Sequence, residues 1–85
     1  MYSHISKIWY LKAESKFRLP NKEMVYTKLN RKAERRNATW YYWIKAGKEI
    51  IQMSGGRIVW TEIENVKDQY RIFSENSQEY FKQNS

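Results

Sequence analysis

Two glycine breaks, Gly47 and the pair Gly55-Gly56, divide the densest apolar stretch of the chain, so each piece between them must be a short element closed by a turn. That stretch is Tyr42 to Trp60, YWIKAGKEIIQMSGGRIVW, nineteen residues. Ile50 to Met53 and Arg57 to Trp60 are β-prone runs on either side of Ser54, Gly55 and Gly56, a tight-turn composition, and they predict a hairpin. Ahead of them Trp40, Trp43 and Ile44 stand at i, i+3 and i+4, which places three large apolar groups on one helical face. Asn37 or Thr39 is positioned to cap that helix. Gly47 just past its last periodic residue is a stop signal, and Lys45 suits the negative end of the dipole. The competing reading makes Thr39 to Ile44 a strand, because Thr, Trp, Tyr and Ile all favour strands, and Lys45 to Lys48 a hairpin turn. It yields a three-stranded meander, Thr39 to Ile44, Glu49 to Met53 and Arg57 to Trp60, with exposed aromatics available to stack on bases. Local propensity leans slightly to the strand.

Upstream, Lys16 to Leu19 reads as a short strand ended by Pro20, which favours an extended Leu19 and suits the opening of a helix from about Asn21 or Lys22. Met24, Val25, Leu29 and Ala33 supply the inward side of that helix, and Lys28, Arg31, Lys32 and Arg35 form a basic stripe along it. Arg35 to Ala38 is then the turn between two helices. Thr61 opens a final helix with Glu64 completing a capping box and Ile63, Val66, Tyr70 and Phe73 as its apolar face. Residues 1–12 fit either a helical turn or a strand and read as an extra element. Beyond Ser74 the chain is polar except for Tyr80 and Phe81. Trp9, Trp40, Trp43 and Trp60 are most economically core residues.

At 85 residues the chain predicts one small domain of modest stability. It has no cysteine, so disulfides and thiolate-bound zinc are excluded, and a cytoplasmic location is expected. No apolar run reaches about 18 residues and no leader is evident, which predicts neither membrane span nor secretion signal. Residues 1–60 hold 13 Lys or Arg against 4 acids, +9, whereas residues 61–85 hold 3 against 5, −2. A basic body with an acidic tail points to a polyanion on one side, nucleic acid before membrane.

Catalysis needs converging acids, bases or a nucleophile, and this chain offers little of that kind. Glu62 and Glu64 fit capping and dipole compensation, the lone His4 has no partner pattern, and Ser54-Gly55-Gly56 is too short to cradle phosphate. No enzyme, metal or cofactor is expected.

The run TWYYWIKAGKEIIQMSGGRIVWTEIENV, residues 39–66, resembles the second half of the MerR-like winged-helix domain of phage and conjugative-element excisionases, which are recombination directionality factors. Thr39, Tyr41, Trp43, Ile44, Lys45, Gly47, Lys48, Gly55, Gly56, Arg57 and Ile58 fall on the family pattern without a gap, and this favours the helix over the strand for residues 39–44. The expected fold is α+β, a small winged helix-turn-helix domain with a two-stranded wing and flanking helices. Residues 20–74 form its core, 1–19 an N-terminal extension and 75–85 a tail. The resemblance implies that the helix matching Asn37 to Ala46 enters the major groove with Tyr41, Tyr42 and Lys45 facing it. It makes Lys48 and Arg57, the latter on the wing, phosphate or minor-groove contacts. Arg31, Arg35 and Arg36 add backbone contacts on composition alone. The implied function is sequence-specific binding of double-stranded DNA by an excisionase-like architectural factor of a phage or mobile element, with an integrase and neighbouring copies as partners. The alternatives are a small interaction protein that binds a host or element-encoded protein, and an RNA-binding module with an aromatic β-sheet.

Overall fold

The computed structural model describes residues 2–71, and these form a seven-stranded antiparallel sheet with three short 3-10 turns and no α-helix. The strands are β1 (His4–Lys7), β2 (Lys16–Arg18), β3 (Val25–Lys28), β4 (Glu34–Arg36), β5 (Thr39–Ala46), β6 (Glu49–Ser54) and β7 (Ile58–Thr61). Their order is β1, β7, β2, β3, β5, with β4 and β6 also on β5. Ile44 pairs with both Lys28 and Ile51, and Tyr41 with both Glu34 and Ser54. Thus β3 and β4 lie end to end along one edge of β5, and β6 takes the other. No helix among the described residues is long and apolar enough to cross a membrane.

The winged helix-turn-helix is therefore corrected. Residues 39–46, expected as the recognition helix, are the longest strand, and the segment expected as the preceding helix is divided between β3 and β4. The reason is tertiary. Alternation sends Tyr42, Ile44 and Ala46 toward the core, and pairing along both edges satisfies the strand's backbone. A helix would have left this run of aromatic and β-branched side chains with a single buried stripe. The turn chemistry agrees. Asn37 and Ala38 connect paired residues Arg36 and Thr39 with φ of 50° and 65°, the two positive angles of a type I′ hairpin. Gly47, read as a helix stop, has φ of 63° at the first position of the two-residue β5–β6 turn, where a type II′ hairpin places glycine.

The expected wing does not form either, although both of its strands do. β6 pairs with β5, and β7 pairs with β1 and β2. The chain turns a corner between them at Ser54–Arg57, where the Arg57 N–H donates to the Ser54 carbonyl at 3.1 Å. Gly55 joins the two parts of the sheet, donating its N–H to the Trp40 carbonyl at 2.8 Å and accepting from the Trp9 N–H at 3.1 Å. A Cβ on Gly55 would stand 2.8 Å from Tyr42 Cε2 and 2.9 Å from Trp9 Cε3, so this position is glycine for want of space.

Inside the sheet lie Ile8, Leu11, Phe17, Leu19, Tyr26, Ile44, Met53, Val59 and Val66, with Phe17 and Tyr26 stacked at 5.6 Å. Residues before Pro20, read as an extension, thus supply two strands and a large share of the core. None of the four tryptophans belongs to it. Trp9 and Trp40 are 38% and 43% exposed, and Trp43 and Trp60 are half-buried. The expected final helix is also corrected. Thr61 ends β7 and donates its hydroxyl to the Lys16 carbonyl at 2.8 Å, and the 3-10 turn Ile63–Asn65 starts from Glu62 with no side-chain cap. Tyr70 from a second such turn stacks on Tyr10 at 4.1 Å. Phe73, Tyr80, Phe81 and the expected tail lie outside the described residues.

Lys28, expected on the exposed basic stripe, points inward and is only 5% exposed. Its Nζ donates to the carbonyls of Ile8 at 3.1 Å and Leu11 at 2.7 Å, and lies 4.4 Å from the Tyr42 ring centroid. Burial, assisted by the charge of Lys67, lowers its pKa to about 8.

Three outcomes are expected. Ala38→Gly should raise the unfolding free energy by about 1 kcal/mol in urea melts, because it relieves a left-handed alanine and completes an Asn-Gly turn. Gly55→Ala should lower it by about 1–3 kcal/mol through overpacking against two rings, with Gly56→Ala, which meets nothing within 4 Å, as the neutral control. The Lys28 amine should titrate with a midpoint near 8 when its ¹³Cε shift is followed. Between pH 8 and 10.5 the unfolded chain holds more of this proton than the folded one, so the stability of wild type relative to Lys28→Met should rise with pH in that window and be flat below it. A flat difference up to pH 10 would show that the amine is solvated.

Candidate nucleic-acid interface

The face of β5 turned away from the core carries Tyr41, Trp43 and Lys45, because residues two apart on a strand share a side. Register extends this face. Lys45 lies opposite Thr27 of β3 and Ile50 of β6, Trp43 opposite Gln52, and Tyr41 opposite Ser54 and Glu34. Tyr41 and Trp43 are half-buried, so each ring rests on the sheet with part of its surface in solvent.

Each of these rings is paired with an arginine. The Arg36 guanidinium carbon sits 4.2 Å from the Tyr41 ring centroid, and that of Arg31 sits 5.5 Å from Trp43, within the range of cation–π attraction. Arg36 is further held by Gln52, donating from Nη2 to Oε1 at 2.7 Å, while Gln52 Nε2 donates to Glu34 Oε2 at 3.0 Å. One amide therefore links β4 to β6 across the β5 strand between them. This holds the guanidinium over the tyrosine at small entropic cost on binding. The arrangement offers flat aromatic and guanidinium surfaces with Arg31, Arg36 and Lys45 as cations and Glu34 as the one acid among them.

The residues expected as contacts are thus divided. Arg31, Arg36, Tyr41 and Lys45 come together on this face. Tyr42 is on the opposite side of β5, against Lys28 and Gly55, and burial, then Tyr70, raises the pKa of its phenol. Arg35 pairs with Trp40 and is directed to that same side of the sheet, exposed. Lys48 is exposed in the β5–β6 turn, and Arg57 is exposed at the corner before β7 instead of at a wing tip, its carbonyl accepting from the Ile8 N–H at 3.2 Å. Trp43, expected in the core, and Gln52, not among the expected contacts, also belong to the site. For Trp43 the signal was the strand period, which sets it beside Tyr41; for Gln52 it was only the cross-strand register, which no local pattern reveals.

Among the described residues no group of three or more His, Cys, Asp or Glu side chains is placed to hold a metal ion. No family model matches the chain, and no curated protein or solved structure matches it significantly.

Proposed function

We propose that this protein binds single-stranded nucleic acid on the outer face of β3, β4, β5 and β6. The observation that carries the reading is the pair of neighbouring rings, Tyr41 and Trp43, on one strand face, each attended by an arginine. Bases have π-faces whatever their sequence, and an unpaired strand can lay them on aromatic or guanidinium planes while its phosphates meet the cations. The +9 charge of residues 1–60 supplies the long-range attraction. Duplex DNA hides its bases between stacked pairs, and the described residues present no helix to enter a major groove.

Fluorescence anisotropy with a labelled single-stranded RNA, a single-stranded DNA and a duplex at two salt concentrations tests this directly. Both single strands should bind more tightly than the duplex, with affinity falling as salt rises. A ribose-specific contact will separate RNA from DNA. Trp43→Ala should cost about 1–3 kcal/mol, roughly 5- to 150-fold in affinity. Arg36→Ala should weaken binding and reduce the salt slope by about 0.7. Glu34→Gln removes the acid from the face and should strengthen binding severalfold at low salt. Preference for the duplex, or single-strand binding that a folded Trp43→Ala protein retains in full, would overturn the reading.

A further inference from the structure

The outer face continues from β5 through β3 to β2 and β7. Lys45 lies opposite Thr27, Val25 shares that side of β3, Val25 lies opposite Arg18, and Arg18 lies opposite Trp60. At this far end is a cleft of about 350 Å³ lined by Tyr2, Arg18, Leu19, Pro20, Asn21 and Trp60. One wall is a rigid turn. Pro20 and the positive φ of Asn21, 64°, with the Lys22 N–H donating to the Leu19 carbonyl at 3.1 Å, are the features of a type II turn. The Lys22 carbonyl in turn accepts from Arg18 Nε at 3.0 Å, which fixes the guanidinium at the cleft and leaves both Nη groups without a hydrogen bond among the described residues. Leu19, 4% exposed, is the apolar floor, and Trp60, half-buried, is an aromatic wall that the core does not use.

Two aromatic rings, an apolar floor, an oriented guanidinium fork and one carboxamide match a planar heteroaromatic ring with an attached anion. We propose that this cleft is a nucleotide subsite in which a single base lies against Trp60 and Tyr2 while its phosphate meets Arg18. The proposal rests on the single-strand reading and extends it: three strand spacings, about 14 Å along the sheet, separate the cleft from the Tyr41–Trp43 rings. One strand would engage both, so affinity should rise stepwise with oligonucleotide length.

The full chain, labelled with ¹⁵N, is titrated with adenosine monophosphate, uridine monophosphate and inorganic phosphate, with the Trp60 indole and Asn21 carboxamide followed by NMR. Either mononucleotide should shift both signals saturably, and phosphate alone should leave the indole unmoved. Arg18→Gln should weaken mononucleotide binding about tenfold or more, the loss of a charge-assisted contact. Tyr2→Ala, at a position outside every strand, should weaken it severalfold. Equal shifts with phosphate and mononucleotide, or none with either, would overturn the subsite. Oligonucleotides that perturb Trp43 and never Trp60 would also overturn it while leaving the single-strand reading intact. Mononucleotide shifts at Trp60 in a protein that binds no oligonucleotide would keep the cleft and remove the single-strand reading.

Discussion

Lys28 is the contact on which the arrangement of this small sheet depends. Its ammonium reaches from β3 through the interior to the carbonyls of Ile8, which opens the 3-10 turn Ile8–Tyr10, and of Leu11, which follows it, and lies against the ring of Tyr42 from β5. Three sequence-distant segments thus meet at one nitrogen. With no cysteine to form a disulfide, a chain of this length has little apolar surface to spare for holding a turn in place, and a turn packed against the core must have its carbonyls satisfied. The buried amine meets that need. Its cost is the desolvation that depresses its own pKa, and removing it would leave the Leu11 carbonyl without its 2.7 Å donor.

The same contact shows why the helical spacing of residues 22–35 is not realised. Lys28, Arg31, Lys32 and Arg35 share a helical stripe on paper, and four cations in such a spacing predict a solvated face. In the fold the first is in the core, the second is over Trp43, and Arg35 faces the side of β5 opposite to Arg36. A helical period is visible in any sequence with charges every three or four residues. What decides against it here is long-range pairing, which no window of the sequence contains.

Strands were more legible than their partners. Glu49 to Met53 lies in β6 and Ile58 to Trp60 in β7, and Thr39 to Ile44 is the strand of the competing reading. Its turn is tighter than Lys45 to Lys48, and its meander does not form because β7 pairs with β1 and β2 and not with β6. The spacing shared with excisionases favours a helix over Thr39 to Ile44. The strand preference of Thr, Trp, Tyr and Ile, expressed once both edges of β5 found partners, prevails over it. Ala38 also concealed the β4–β5 turn, because a type I′ hairpin normally advertises itself by Asn-Gly and this one reads Asn-Ala. The Gly55-Gly56 pair, expected at a hairpin tip, is a corner. That distinction depends on Trp9, 46 positions earlier in the chain, whose N–H bonds Gly55 and whose ring excludes a Cβ there.

The division of β5 into two faces has a consequence for how fold and function can change independently. Tyr42, Ile44 and Ala46 face Lys28, Tyr26, Ile51 and Met53, and any change among them disturbs the core. Tyr41, Trp43 and Lys45 interleave with them in sequence, yet the core makes no use of their outer surfaces. Large aromatic side chains normally serve a small domain best when fully buried, since each carries 150–250 Å² of surface. This chain builds its interior mainly from aliphatic residues with Phe17 and Tyr26, and leaves every tryptophan partly exposed, Trp9 and Trp40 the most. Core formation therefore does not account for the tryptophans. The arginines beside Trp43 and Tyr41, and the guanidinium held at the cleft beside Trp60, turn those rings from leftover apolar surface into places where a flat anionic ligand would find both of its needs met.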